Sequence, residues 1–309
     1  MSHHILATLL AASMLSACTA PDPATSTPAE PPAVSPATTT EPASATETPL
    51  WSFEAAAPVL RERSCPDGEP YTRAQSVDIT ATPVELGPAN RVGEALSGAT
   101  FVGCWALSSD ETSFGGLSGL AAYPSGTLLA VSDAGTFIWI NMDADADFAP
   151  EGTGSIAYMR GEDGTLLDGK SAADAEGLAM RDGLALVSFE RDHRVLAFDL
   201  EGCGGAARGT LVASPSTTGA DQLANNRGMD ALTLQGDHLL AGSERKNGGL
   251  TASFGLARGE AAKASFDLEH ALLTRPALLL TGFDALGDAL FAVERAYHPL
   301  LGSTVSIRR

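Results

Sequence analysis

One pattern occurs four times along the sequence, and it restricts the folds that the chain can adopt. Each copy reads as a short strand, a turn rich in Gly, Asp or Ser, a second strand of small and aliphatic residues, and an acidic residue. The copies begin at Gly116, Ala175, Gly228 and Gly282. The acids at their ends are Asp133, Glu190, Glu244 and Glu294, which are 57, 54 and 50 residues apart.

A β-hairpin repeated at this spacing is typical of a β-propeller, in which each repeat forms one four-stranded blade. The runs 137–142, 195–200 and 250–256 are the expected outer strands. The apolar runs are short, and no stretch of the mature chain sustains an amphipathic helical period for long, so helical solenoids are excluded. We predict an all-β fold, a β-propeller of four-stranded blades that number about five to six.

The acids of the repeats are expected to meet at one rim. Counting pairs outward from each turn places a polar residue of the first strand beside the acid that ends the second. These pairs are Ser118 with Asp133, Glu176 with Glu190, and Asp230 with Glu244. In the fourth, shorter hairpin, Asp284 and Glu294 fall outside that register. Because propeller blades surround a central axis, matching strand ends bring these side chains together.

Such a rim is a candidate Ca²⁺ site. Ca²⁺ takes six to eight oxygen ligands, and clustered carboxylates without a cation raise one another's pKa. The candidate ligands are Glu176, Glu190, Asp230 and Glu244, with Asp133, and the wider acidic set adds Asp284 and Glu294. The alternative is a structural role, in which the acids accept backbone N–H groups or pair with an Arg of the adjacent blade.

Two further residue types accompany the acids. Glu-Arg recurs at 190–191, 244–245 and 294–295, and adjacent side chains on a strand point to opposite faces. If each Glu faces the axis, the Arg side chains pair between blades. Alternatively, strand twist brings Arg191 and Arg245 to the mouth, where they are candidate ligands for a phosphate or carboxylate. His193, three residues after Glu190, is a candidate general acid, so the catalytic candidates are Glu176, Glu190 and His193.

Other chemistries find little support in the sequence. The stretch 164–171 satisfies the phosphate-binding loop pattern, but an acidic hairpin follows it where a helix is required, so Asp168-Gly169 is read as a turn. There is no nucleophile elbow and no histidine pair with zinc-binding spacing. The net charge of −19 argues against nucleic acid as a partner, and a phosphorylated substrate then needs a metal ion to bridge it.

The N-terminus has the pattern of an export signal. Residues 1–18 hold an apolar run too short to span a bilayer, followed by small residues. The sequence LSAC at 15–18 resembles the lipobox of bacterial lipoproteins, which implies lipid modification of Cys18. The alternative is an ordinary secretory signal cut nearby. Thr19 after the cysteine implies the outer membrane, facing the periplasm, in the sorting rule of such lipoproteins.

A tether separates this signal from the folded domain. Residues 19–50 are almost wholly Pro, Ala, Thr, Ser and Glu, a composition that cannot offset chain entropy by burial. Residues 51–309 then form the predicted propeller domain. After Cys18 only Cys65, Cys104 and Cys203 remain, which predicts one disulfide and one free thiol without deciding the pair.

Several motifs together resemble the phytase-like family, also described as esterase-like activity of phytase. They are FGGLSGL at 114–120, LLAVSDAG at 128–135, DGTLLDGKSAADAEGLA at 163–179, SFERDHRV at 188–195 and NRGMDAL at 226–232. The resemblance covers roughly residues 85–309 and implies an exported β-propeller related to calcium-dependent propeller phytases. Asp230 stands where the family usually has Glu.

The chain also stops at Arg309, where the family commonly continues with another hairpin and a closing strand. Either the last blade is closed by N-terminal strands around residues 76–106, or the chain is a truncated member whose propeller is incompletely closed and exposes strand edges.

Two functions follow as hypotheses. The first is an envelope-anchored, Ca²⁺-dependent phosphoester or ester hydrolase that acts on a small anionic substrate. The second is a non-catalytic propeller that binds a ligand or an envelope protein. In both, the membrane is contacted only through the N-terminal lipid, and the oligomeric state is left open.

Overall fold

Strands make up most of the described chain. The computed structural model describes residues 48–85, 95–96, 99–143, 149–216, 223, 228–244, 251–275, 277–299 and 302–309. The predicted signal peptide with Cys18, residues 19–47 of the predicted tether, and Arg245 lie outside these ranges. Among the described residues, no helix has the length and apolarity needed to cross a bilayer.

The elements follow in chain order. They begin with α1 (Phe53–Ser64), β1 (Gln75–Asp78), β2 (Thr80–Pro83), β3 (Ala95–Leu96), β4 (Ala99–Thr100) and β5 (Trp105–Ser108). Next come β6 (Leu117–Ala122), β7 (Leu128–Ser132), β8 (Thr136–Asp143), β9 (Ala149–Tyr158), α2 (Lys170–Ala173), β10 (Ala175–Arg181), β11 (Leu184–Phe189), β12 (Arg194–Asp199) and β13 (Thr210–Pro215). The last are β14 (Ala231–Gln235), β15 (His238–Gly242), β16 (Ala252–Leu256), β17 (Ala264–Phe266), β18 (His270–Leu272), β19 (Leu279–Leu286), β20 (Ala289–His298) and β21 (Gly302–Arg308).

Four antiparallel blades arise from these strands. Blade 1 has the order β1-β9-β8-β7-β6, and blade 2 has the order β10-β11-β12-β13-β17, in which β17 runs parallel to β13. Blade 3 is β14-β15-β16-β18, and blade 4 is β19-β20-β21. Small two-stranded sheets pair β2 with β5 and β3 with β4. The predicted all-β propeller is therefore confirmed.

Each repeat of the sequence forms the two innermost strands of one blade. In blade 2 the turn falls at Asp182 and Gly183, whose φ angles of 49° and 70° suit a tight hairpin turn of the type that glycine and aspartate favour. The inner strands β6, β10, β14 and β19 pack side by side in that order. Glycine permits this approach, because a Cβ on Gly119 would lie 2.8 Å from the carbonyl oxygen of Glu176.

The ring of blades is open, and it holds fewer blades than expected. The described residues form four blades rather than five or six, and none of their strands pairs blade 4 with blade 1. The N-terminal strands do not close blade 4: β1 forms the outer edge of blade 1, and β2 pairs with β5. The face of β6 away from β10 is left uncovered, so the side chain of Leu120 remains 52% exposed.

A helix that the sequence did not predict precedes the blades. The hydroxyl of Ser52 accepts a hydrogen bond of 3.2 Å from the N–H of Ala55 and caps α1. One face of the helix, formed by Phe53, Ala56, Leu60 and Ser64, is buried. The expectation that no amphipathic helix is sustained is therefore wrong for these 12 residues.

Residues 49–72, which we name the N-terminal strap, cross the turn ends of the blade 2 and blade 3 hairpins. The N–H of Phe53 donates to the carbonyl of Asp237 in the β14–β15 turn at 2.8 Å. Arg61 pairs with Asp199, the last residue of β12, at 2.6 Å and donates a hydrogen bond to the carbonyl of Asp182 in the β10–β11 turn. The strap therefore covers the end of these blades opposite to the ends of β11 and β15, where the predicted acids follow.

One disulfide holds the strap in place. It joins Cys65 to Cys203, which follows β12, across a sequence separation of 138 residues. Cys104 is the cysteine outside a disulfide in the described chain. The open question of pairing among the three cysteines is settled in favour of Cys65 with Cys203.

Candidate metal centre

The first strands of the repeats carry β-bulges where the predicted rim begins. The register of β10 on β11 shifts between Ala175 and Leu178, so Glu176 lies in a bulge. The register of β6 on β7 shifts between Leu117 and Leu120 around Ser118 in the same way. Bulges re-aim side chains and are frequent next to functional sites. Here they place Ser118 close enough to donate a hydrogen bond to the Glu176 carboxylate.

Three carboxylates converge at the end of blade 2. Ligand oxygens of Asp174, Glu176 and Glu190 lie within 4.8 Å of one another. Asp174 was not predicted, and its residue is only 1% exposed. Its carboxylate is neutralised twice, by Lys170 Nζ at 2.7 Å and by Arg191 Nε at 2.8 Å. The structure therefore separates a paired acid, Asp174, from Glu176 and Glu190 beside it.

The two glutamates of blade 2 bind protons unusually tightly. Burial, followed by the charges of Glu190 and Asp174, raises the pKa of Glu176 to about 7, although the Ser118 hydroxyl opposes the shift. Burial also raises the pKa of Glu190, with further contributions from Asp174 and Glu244. The N–H of Gly228 donates to Glu190 Oε1 at 3.2 Å and lowers that pKa in part. Both carboxylates lack enough positive charge nearby to stay ionised easily.

Blade 3 adds two acids to this set. Burial raises the pKa of Asp230 well above its usual range, and the charges of Glu176, Glu244 and Glu190 add to the effect. Asp230 Oδ1 is buried and has no hydrogen-bond partner in the described part of the chain. The four acids predicted as principal metal ligands therefore form one electrostatically coupled group across blades 2 and 3. We name Glu176, Glu190, Asp230 and Glu244 the acidic centre.

Asp133, the fifth predicted ligand, lies at the edge of the acidic centre. Its carboxylate pairs with Lys170 Nζ at 2.8 Å, and the same ammonium holds Asp174. In the sequence, Lys170 falls within the stretch 164–171 that matches the phosphate-binding loop pattern by chance. The signal that indicates its real role is the i, i+4 spacing of Lys170 and Asp174, which brings the two side chains together on one helical turn.

Blade 4 contributes different residues from those expected. Its bulge falls between Leu280 and Gly282, so Thr281 takes the position that Ser118 and Glu176 hold in their blades. Glu294 is completely buried inside the blade and pairs with Arg308 at 2.5 Å.

Asp284 lies farther along the blade 4 hairpin, opposite Phe291, and is exposed. Arg295 follows Glu294 in the sequence. Its positive charge lowers the pKa of the Asp230 carboxyl and so opposes part of the increase caused by burial. Neither Asp284 nor Glu294 therefore joins the acidic centre.

The predicted arginine and histidine lie close to the acids. Arg191 has a left-handed backbone, with φ of 61°, and binds Asp174 of its own blade rather than pairing between blades. His193 packs over Gly228, where an added Cβ would lie 2.8 Å from its Nδ1 and 2.9 Å from Glu190 Cγ. His193 is therefore a direct neighbour of Glu190.

The donor set fits a hard divalent cation. The acidic centre offers carboxylate oxygens, which are the ligands that Ca²⁺ prefers. One of these oxygens, Asp230 Oδ1, is buried and has no hydrogen-bond partner among the described residues, and burial raises the pKa values of Glu176, Glu190 and Asp230, as expected for carboxylates whose charge is not compensated. Fold and site together define an open β-propeller with an acidic centre shared by two adjacent blades.

The chain belongs to the phytase-like family. The model of that family, described as esterase-like activity of phytase, matches residues 112–309. No curated protein matches the sequence.

Several solved structures resemble the chain at low sequence identity. The computationally designed Ika8 protein is 12% identical, with a TM-score of 0.30 over 62% of this chain and 45% of that one. The Dos1 propeller is 10% identical, with a TM-score of 0.33 over 62% and 44%. BamB from Moraxella catarrhalis is 13% identical, with a TM-score of 0.32 over 69% and 66%. The chain therefore spans less than half the length of Ika8 and Dos1.

Proposed function

We propose that the protein is a Ca²⁺-dependent phosphoester or ester hydrolase whose metal-site acids are Glu176, Glu190, Asp230 and Glu244, one of which stays uncoordinated and serves as the base. The observation that carries the proposal is the convergence of Glu176 and Glu190 with Asp174, whose ligand oxygens lie within 4.8 Å of one another, beside the buried Asp230 Oδ1, which has no hydrogen-bond partner among the described residues. Without a cation, crowded acids must take up protons to reduce their repulsion. A bound divalent ion removes that requirement.

Bound Ca²⁺ would supply charge neutralisation for the phosphate oxygens and lower the pKa of a coordinated water. The protein's own residues then have separable tasks. Glu176 is the acid suited to stay uncoordinated and to accept and return a proton, because burial raises its pKa to about 7. Lys170 and Arg191 hold Asp174 ionised and fixed beside it. His193, next to Glu190, is the candidate donor to a leaving group.

The substrate is a small anion in this proposal. Arg191 pairs with Asp174 at 2.8 Å, and the positive charge of Arg295 acts on Asp230, so blades 2 and 4 each supply a guanidinium group near the acids. Planar guanidinium groups bind phosphate and carboxylate oxygens in pairs. Arg191 remains the candidate substrate ligand, and Arg245 keeps that role as an expectation from the sequence alone.

Thermal unfolding with Ca²⁺ tests the metal site directly. A ligand that binds only the folded state stabilises it by about 2.7 kcal/mol at a concentration of 100 Kd. We expect Ca²⁺ to raise the Tm of the wild-type protein above its value in EDTA. Asp230→Asn should abolish the rise, whereas the matched change Asp284→Asn, outside the acidic centre, should retain it. A wild-type Tm that is the same in Ca²⁺ and EDTA would contradict the proposal.

Hydrolysis of 4-nitrophenyl phosphate tests the catalytic part. Turnover should require Ca²⁺ and should fall at least a hundredfold in Glu176→Gln, because proton transfer by a positioned carboxyl contributes about that factor or more. Ca²⁺ binding without turnover of any phosphoester or carboxylic ester would favour the second candidate, a non-catalytic propeller that binds a ligand or an envelope protein. That candidate is supported by the pairing of Asp174 and Glu294 with cations, as in a structural network.

We also propose that the protein is exported and anchored in the cell envelope through lipid-modified Cys18, in the outer membrane facing the periplasm. The Cys65–Cys203 disulfide supports an oxidising compartment. Metabolic labelling with a fatty acid tests the anchor: label should be incorporated into the wild-type protein and should be absent from Cys18→Ser.

A further inference from the structure

A cavity lies beside the acidic centre, where the blade 1 loops meet α2. Its volume is about 610 Å³. The larger side chains that line it are those of Asp133, Tyr158, Leu166, Leu167, Asp168 and Lys170. Of the predicted site residues, Asp133 is the one that lines this cavity.

The cavity opens next to the proposed metal ligands. Lys170 lines it and at the same time holds Asp174 at 2.7 Å. The carboxylate of Asp174 lies within 4.8 Å of those of Glu176 and Glu190. A phosphoryl group placed at the acidic centre can therefore extend the rest of its molecule past Lys170 into the cavity.

The lining favours an uncharged organic group. Leu166 is 50% exposed and Tyr158 is 44% exposed, so apolar surface faces solvent within the cavity. Lys170 is the cation among its lining residues, and Asp133 and Asp174 already compensate its charge. A second phosphate at this position would meet the carboxylates of Asp133 and Asp168. Aryl and alkyl groups gain from covering the apolar surface without that repulsion.

We infer that this cavity is the subsite for the organic part of the substrate, and that the substrate class is a phosphoester with an uncharged aryl or alkyl group. The inference rests on the proposed function, because it takes the phosphoryl group to lie at the acidic centre. It assigns Leu166 and Tyr158 as residues that determine specificity, through apolar contact with that group.

Two phosphonates that cannot be hydrolysed as esters test the subsite by calorimetric binding in the presence of Ca²⁺. Benzylphosphonate carries an aryl group, and methylphosphonate carries the same anionic head without it. The wild-type protein should bind benzylphosphonate at least about tenfold more tightly, since covering a benzyl group contributes enough apolar burial for that factor. Leu166→Asp should remove most of the difference, because it replaces apolar surface by a like charge.

A matched variant controls for non-specific effects. Leu286 is 53% exposed, lies at the end of β19 and does not line the cavity, so Leu286→Asp should leave both affinities unchanged. Calorimetric titration of Ca²⁺ alone into each protein separates the two proposals. If wild-type protein takes up Ca²⁺ but binds the two phosphonates equally, or if Leu166→Asp changes neither affinity, the subsite is refuted and the metal site stands. If wild-type protein takes up no Ca²⁺, both are refuted.

Discussion

Replacing Glu176 by Gln turns one carboxyl of the acidic centre into a neutral group of the same shape. The pKa of Glu176 is about 7 in the folded protein, against an ordinary value of 4.5. The folded state therefore binds a proton that the unfolded chain has already lost between these two pH values. Stability falls as pH rises through this window, and the full loss, on the order of 3 kcal/mol, is present above pH 7.

Glu176→Gln removes this loss, because the amide stays neutral at every pH and still accepts the Ser118 hydrogen bond. In EDTA, the variant should be more stable than wild type by about 3 kcal/mol at pH 8 and nearly equal to it at pH 4.5. A difference of that size shifts Tm by roughly 6–12 °C in a domain of this length. With saturating Ca²⁺ at pH 8 the difference should shrink, since a cation bound beside Glu176 compensates the charge of its ionised carboxylate.

Urea unfolding at the two pH values measures the effect. Glu62→Gln is the matched control, because Glu62 is exposed on α1, and its stability should stay within about 0.5 kcal/mol of wild type at both pH values. A Glu176→Gln variant that is equally stable to wild type at pH 8 in EDTA would refute the argument that crowding and burial penalise the charged carboxylate.

For three further substitutions the structure predicts a lower free energy of unfolding, which urea unfolding measures. Lys170→Met leaves the buried Asp174 with one cation instead of two and should destabilise the protein by about 2 kcal/mol, less than the loss of a whole buried pair. Cys203→Ser opens a disulfide that closes a 138-residue loop and should cost on the order of 5 kcal/mol, with the same loss appearing when wild type is reduced. Arg308→Met leaves the completely buried Glu294 without its ion-pair partner and should lower the free energy of unfolding by about 3–5 kcal/mol. Adding Glu294→Gln to the same chain should restore part of this stability.

The hairpins and the main acids were readable from the sequence because both depend on local signals. A turn such as Asp182-Gly183 fixes the register of its two strands, and the register then decides which residues face each other. Counting from the turns therefore placed Glu176 near Glu190, and the ligand oxygens of these two residues lie within 4.8 Å of each other. Each pair lies within one hairpin and can therefore be predicted from local sequence. The approach of acids from different blades depends on the tertiary structure.

The errors arise where one residue changes the register or where contacts are distant in sequence. In the fourth repeat, counting from the turn left Asp284 outside the register of the other pairs, and the bulge makes Thr281 the residue equivalent to Ser118 and Glu176. A bulge is hard to detect in the hydrophobic pattern of the sequence. Its one inserted residue changes which side chains point to each face of the sheet only near the bulge itself. The blade number was overestimated because it was extrapolated from the repeat spacing. The described residues of the segment 76–106, one predicted source of strands for the last blade, instead supply the edge strand β1 of blade 1 and the small two-stranded sheets.

The N-terminal strap also imposes an order of events on a chain that emerges N-terminus first. The Trp51 indole N–H donates to the carbonyl of Ala261, which lies 210 residues later. Trp51 and Phe53 belong to the same core cluster as Leu239 and Phe266, so their binding surface is incomplete until blade 3 and β17 exist. Contacts of such long sequence separation form late, because loop closure must precede them. The first folded residues of the chain are thus among the last to become protected, and a chaperone that binds exposed aromatic segments would find its target there.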